Sequence, residues 1–326
     1  MHPAFSVIFL TTLIGVGQGL FLALVTGQVY SLANLLQPQD SVHFYAMGSA
    51  LSLVFLVAGL LASFFHLGHP ERAWRSATKW RTSWLSREVI VLPVLMLFIA
   101  LFGLVHYFGL TQPLFTIQGV ISVDGSLILG VLGAIAAFAL YFCTAMIYAS
   151  IKFIEEWHSP LTLINFTLFG LSSGFMLAAA FSAWSGVGLV GFYGTWAVIF
   201  TFAAGVSRWL SLRRNRNLIH KSSLQTAIGI RHNRIEQKSQ GFMGGSFNTR
   251  EFFHGASAGM IRWVYGFFLL AVFVLPVLLL GASYWLASPY LPIAAFGVQY
   301  LGLMAERWYF FVEAKHPQNL YYQSMA

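Results

Sequence analysis

The feature that most constrains this chain is a rhythm of apolar runs, each about 20 residues or longer, recurring from one terminus to the other. The runs fall at roughly 5–33, 43–66, 86–110, 126–150, 160–184, 187–210, 258–286 and 289–312. As a helix, a run of that length crosses the ~30 Å hydrocarbon core of a bilayer. A water-soluble fold of 326 residues cannot hide them, because 58% of the chain is hydrophobic and only 9% is charged. Strand alternation long enough for a barrel is missing. The sequence therefore predicts an all-α integral membrane protein: eight transmembrane helices forming a single membrane domain over 1–326. A turn near Ser185 and Gly186 divides the fifth and sixth runs, and Ser288-Pro289 divides the last two, where proline suits a helix start. The first run is too long for the apolar part of a cleaved signal and lacks a basic flank, so it too reads as a span.

Eight spans place both termini on one side, together with connections 2–3, 4–5 and 6–7. All 18 Lys and Arg fall there. They comprise five from Arg72 to Arg87, then Lys152, ten from Arg208 to Arg262, and finally Arg307 and Lys315. Asp40 and Asp124 lie on the other side. The positive-inside rule makes the basic face cytoplasmic and predicts a multi-pass membrane protein with both termini cytoplasmic. Topology thus accounts for the net charge of +8 without nucleic acid. The only long connection, 211–257, is basic up to Lys238 and then glycine-rich (GFMGGSFNTREFFHG). It reads either as a solvated flank with affinity for anionic membrane lipid or as a docking surface for a cytoplasmic protein. Cys143 is the single cysteine, which excludes an internal disulfide and a cluster held by four thiolates.

Between the second and third runs stands FHLGHPERAWRSATKWRTSWLSRE, residues 65–88, with five Arg and Lys, two Glu, two His and three Trp. Pro70 suits a first helical turn, and Trp74, Trp80 and Trp84 suit the headgroup region. The stretch reads as an interfacial segment lying along the membrane and roofing a pocket. His66 ends one span and Glu88 opens the next, so antiparallel packing can bring them to one depth. Ionisable groups at that depth require a reason. Quinone reduction supplies one, since a histidine can hydrogen-bond a quinone oxygen while a carboxylate relays a proton. His66 alone reads equally well as a satisfied boundary histidine; opposite Glu88 it becomes half of a candidate catalytic pair. Arg72 and Arg75 then shape the roof or a partner interface.

Weaker candidates lie elsewhere. In AERWYFFVEAKHPQNLYY, residues 305–322, Glu306 and Arg307 sit inside the last turns and are candidates for a proton path, whereas Lys315 reads as a snorkelling flank. Tyr148, one turn before Lys152, faces a pocket or belongs to an interfacial belt. Gln18, within GVGQGL at 15–20, bonds a neighbouring helix or a ligand; the glycines around it read as close helix packing rather than a nucleotide fingerprint. His43 and His106 come nearest to a haem pair but match no haem spacing, so neither haem nor another metal is expected. HExxH, GxSxG and P-loop patterns are missing, which leaves a hydrolase or ATPase without support.

Three stretches carry a family resemblance: FHLGHPERAWRSATKWRTSWLSRE, CTAMIYASIKFIEEWHSPLTLINFTLFGLSSGF and QYLGLMAERWYFFVEAKHPQNLYY. Together they resemble the membrane-anchor subunits of DMSO reductase-type molybdenum enzymes, the DmsC branch of the NrfD-like superfamily. Within that branch the wording is closest to the anchors of cytoplasmic sulfite dehydrogenases. The resemblance implies a complex of a molybdopterin catalytic subunit, an iron–sulfur subunit docked on the cytoplasmic face, and this anchor, which binds ubiquinone or menaquinone. It places the family's quinone-site HLG motif on His66 to Gly68 and the family's acidic residue on Glu88. Anchors of the branch generally lack haem. One departure is Arg87, where DMSO reductase anchors commonly have an uncharged polar residue. The resemblance implies electron flow from sulfite to quinone. The alternatives are quinol oxidation feeding a DMSO or polysulfide-type reductase, a purely structural anchor and, from another class, a secondary transporter.

Overall fold

The computed structural model describes residues 1–117, 121–236, 238 and 251–321. The glycine-rich half of the long basic connection, with Arg250, falls largely outside the described residues. Nine helices are described: α1 (Phe5–Leu32), α2 (Ser41–Phe64), α3 (Trp84–Tyr107), α4 (Gly125–Ala149), α5 (Pro160–Trp184), α6 (Val190–Arg216), the short α7 (Leu224–Ile228), α8 (Ala258–Leu286) and α9 (Tyr290–Glu313). A 3-10 helix, Pro70–Lys79, joins α2 to α3, and another, Pro317–Tyr321, follows α9. A small antiparallel hairpin, β1 (Pro113–Ile117) with β2 (Ile121–Asp124), joins α3 to α4. It stands outside the apolar clusters of the bundle, though Asp124 at its end is buried, so the expected all-α class needs only that addition.

Side chains placed for capping set the helix starts. Ser83, Asp124, Ser159 and Ser257 accept backbone N–H bonds at the starts of α3, α4, α5 and α8. The turn between α5 and α6 uses Gly186 at φ 69°, a conformation that disfavours any Cβ. The second helix ends at Phe64, two residues before His66, and the sixth runs on to Arg216 instead of stopping near 210. That extension takes Arg213, Arg214 and Arg216 from the expected connection into the helix.

Among the described residues, seven helices, α1 to α6 and α8, are long and apolar enough to cross a membrane. α9 has 24 residues but is not among them, because each of its 18-residue windows contains Glu306 and Arg307. The expected count of eight is thus seven on hydropathy, with a charged helix of spanning length beside them. α1 and α5 form the centre: 67% and 78% of their most apolar stretches are buried, against 28% for α2 and α3 at the edge. A Cβ on Gly19 would collide with the backbone of Gly170, one on Gly174 with the backbone of Gly19, and one on Gly170 with Tyr141. The glycines of GVGQGL therefore do serve helix packing.

Candidate functional site

Glu88 sits just over one turn inside α3, about 6 Å along its axis from Trp84. It is only 7% exposed and accepts a 2.5 Å hydrogen bond from the Thr144 hydroxyl of α4. Beside it is a cavity of about 20 Å³, lined among others by Gln18, Tyr141, Thr144, Phe166 and Arg307. That is room for about one water molecule. Tyr141 donates to the Gly15 carbonyl at 3.0 Å, whereas Gln18 Oε1 is buried with no hydrogen-bond partner. Three residues chosen from separate parts of the sequence, Gln18, Glu88 and Arg307, thus share one cavity.

Arg307 leads from this cavity into a buried ionic cluster. Its guanidinium lies 3.6 Å from the ring centroid of Phe166, and its Nε is 3.7 Å from Glu306 Oε2. Glu306 Oε1 in turn lies 2.9 Å from Arg208 Nε, with both side chains almost fully buried. Arg208 also reaches Glu313 Oε2 at 3.4 Å. Charges inside a membrane bundle are tolerated when paired in this way. Sequence reasoning assigned Arg208 only to the positive flank. The signal that could have found it is the apolar pattern of α6, which continues through Trp209, Leu210 and Leu212 on its far side.

The charged segment before α3 is arranged differently. His66, Gly68, Arg72 and Arg75 are all exposed, as are Trp74 and Trp80. Among the described residues, the His66 side chain makes no hydrogen bond or ion pair, so it is not joined to Glu88. Although exposed, its imidazole has its pKa lowered by the protein mass that displaces water around it. Glu71 engages His69 at 3.0 Å and Arg72 at 3.6 Å. The segment is tied to α3 instead: Arg87 donates to the carbonyls of Trp80 and Arg81 at 2.9 and 2.8 Å, Ser86 donates to that of Ser76, and the Arg87 guanidinium stacks 4.0 Å from the Trp84 ring centroid. No residue from 65 to 83 lines the Glu88 cavity.

Tyr148 is buried among the rings of Trp157, Phe166, Phe310 and Phe311, at centroid distances of 5.3 to 5.7 Å, and does not line the cavity. His43 is exposed and bonded to Asp40, while buried His106 lies against Gln28 and Ser41, so each imidazole has its own partners. Among the described residues no group of three or more His, Cys, Asp or Glu is placed to hold a metal ion.

The family model described as DMSO reductase anchor subunit (DmsC) matches residues 1–292. Over 326 residues, covering all of both chains, the sequence is 60% identical to a sulfite dehydrogenase subunit from Allochromatium vinosum. This chain, a multi-pass membrane protein, belongs to the DMSO reductase anchor subunit (DmsC) family.

Proposed function

We propose that this chain is the quinone-reactive membrane anchor of a sulfite dehydrogenase, passing electrons from sulfite to ubiquinone or menaquinone. Full-length identity of 60% to a sulfite dehydrogenase subunit supports the choice of complex. Sulfite is oxidised on a molybdopterin partner, and electrons arrive through an iron–sulfur subunit docked on the basic face. A chain with one cysteine has no means of holding such a cluster itself. The arrangement calls for a bacterial cytoplasmic membrane, with α9 as the eighth span and both termini inside. Pairing Arg208 with Glu306 and Glu313 lowers the cost of placing α9 there.

The observation that carries the quinone assignment is Glu88, a buried carboxyl group beside a water-sized cavity, just over one turn into the helix that follows the aromatic segment. A quinone ring is far too large for a space of about 20 Å³. The exposed segment that carries His66, Trp74 and Trp80 is the place assigned to it instead, with an imidazole for a ring oxygen and aromatic side chains for the ring. Gly68, Arg72 and Arg75 belong to the same exposed segment. On this arrangement Glu88 handles protons from behind, and Gln18 serves the cavity rather than the ring.

The test is Glu88→Gln in the purified complex. Sulfite-to-quinone turnover should collapse while sulfite oxidation with an artificial dye, a reaction of the catalytic partner, continues. Equal loss of both activities would remove the assignment. The family description favours a second reading, quinol oxidation feeding a DMSO-type or polysulfide-type reductase. Assaying the same complex with quinol plus DMSO or polysulfide, against quinone plus sulfite, separates the two.

A further inference from the structure

We propose that the buried carboxylates Glu313 and Glu306, held in place by Arg208 and Arg307, carry protons from the basic end of the bundle to the cavity at Glu88. The inference deepens the quinone assignment and rests on it for its purpose, though not for its geometry.

The groups form an almost continuous line. Glu313 ends α9 and is 13% exposed, which makes it the entrance. Glu156, itself paired with His220 at 3.8 Å, interacts electrostatically with Glu313 from the connection between α4 and α5. Arg208 bridges Glu313 at 3.4 Å and Glu306 at 2.9 Å. Glu306 lies seven residues, about 10 Å, inside that end. Its second oxygen is 3.7 Å from Arg307, which lines the cavity shared with Glu88 and Gln18.

Two features distinguish this line from ion pairs that only hold helices together. Glu306 Oε2 and Gln18 Oε1 are buried and lack any hydrogen-bond donor, leaving one acceptor near each side of Arg307. The cavity that Gln18, Glu88 and Arg307 line has room for about one water. The arginines keep their protons and act as fixed positive charge that makes the carboxylates usable at depth. Each transfer breaks an O–H bond at one carboxyl or water oxygen and forms one at the next, with no electron moving. The line opens to one face only. Beyond Gln18, α1 is buried and apolar from Leu20 to Val25, packed in one core with Leu95, Ile99, Phe102 and Ala137.

Infrared spectroscopy after a pH jump tests the line in the purified complex without added quinone. The Glu88 carboxyl band is identified by its loss in Glu88→Gln, and its rise after acidification gives the rate at which protons arrive. Glu306→Gln should slow that rate at least tenfold, Glu306→Asp should restore most of it, and a small permeant weak acid should rescue the Gln variant. Arg208→Leu/Glu306→Leu removes both charges together and guards against misfolding; it too should be slow. Wild-type rates in both Glu306→Gln and the double variant would overturn the line, as would a Glu88 band that ignores the jump. If Glu88→Gln instead keeps full sulfite-to-quinone turnover, the quinone assignment falls while the pH-jump result still decides the line.

Discussion

At the far end of the bundle, Gln28 donates to Ser126 at 2.5 Å, Ser126 donates to Asp124 at 2.8 Å, and Asp124 caps α4. His106 stacks on Tyr45 and lies 3.3 Å from Ser41. At the basic end the buried groups include Glu88 on α3, Arg208 on α6, and Glu306 and Arg307 on α9, the last three ion-paired and Arg307 sharing a cavity with Glu88. Both ends contain buried atoms with no protein partner, Gln28 Oε1 and Tyr45 Oη at one and Glu306 Oε2 and Gln18 Oε1 at the other. Hydrogen-bond satisfaction therefore does not separate them. Charge does: the far cluster spends its one carboxylate on a helix cap, whereas the basic end keeps carboxylates deep in the bundle and away from backbone donors. A cap needs no ionisable group that can exchange, so the two ends should respond differently to the loss of one.

The largest expected difference is in turnover. Glu88→Gln should lower sulfite-to-quinone turnover by about 10²- to 10⁴-fold, the usual contribution of a positioned acid or base. His106→Phe at the other end should leave it near the wild-type rate. Steady-state assays of the two purified complexes make the comparison, and similar losses in both would erase the distinction between the ends.

Stability gives a smaller contrast. Glu306→Gln strips Arg208 of its nearer partner and should cost about 3 kcal/mol, because a buried charge is left poorly compensated. Arg208→Leu/Glu306→Leu should recover most of that loss, since removing both charges spares their desolvation. His106→Phe removes only neutral hydrogen bonds and should cost about 1–2 kcal/mol. Unfolding of the detergent-solubilised chain in denaturant reads all three. A double variant no more stable than Glu306→Gln would mean that the pair itself holds α9 in place.

The helices were legible because a membrane span must satisfy its backbone internally and face lipid, which writes length and hydropathy directly into the sequence. The runs predicted at 126–150 and 160–184 match α4 and α5 within a residue. α9 was harder on hydropathy alone, since Glu306 and Arg307 are masked as charges only by partners elsewhere in the chain. The buried role of Arg208 was missed because its partners, Glu306 and Glu313, are about a hundred residues away. Gln18, Glu88 and Arg307 stood out as polar groups among apolar neighbours, but their common cavity depends on how α1, α3, α4 and α9 pack. The expected contact of His66 with Glu88 did not form, because α2 stops at Phe64 and leaves His66 in the connection beyond it.

That separation yields the smallest and most delicate test. The imidazole pKa of His66 is lowered from the ordinary 6.5 because neighbouring protein displaces water that would solvate the charged form. The folded state then binds a proton there less readily than the unfolded chain does, so this residue contributes no penalty above pH 6.5 and weakens the fold as pH falls below it. Imidazole nitrogen shifts in histidine-labelled protein, with the His66 signal assigned by its loss in His66→Gln, should titrate below pH 6.5. The titration midpoint should not move in Glu88→Gln, because no hydrogen bond or ion pair joins the two side chains. A midpoint that shifts with that substitution would show that the exposed aromatic face and the buried carboxyl are coupled after all. It would then restore His66 and Glu88 as one site, rather than a ring-holding face with a proton relay behind it.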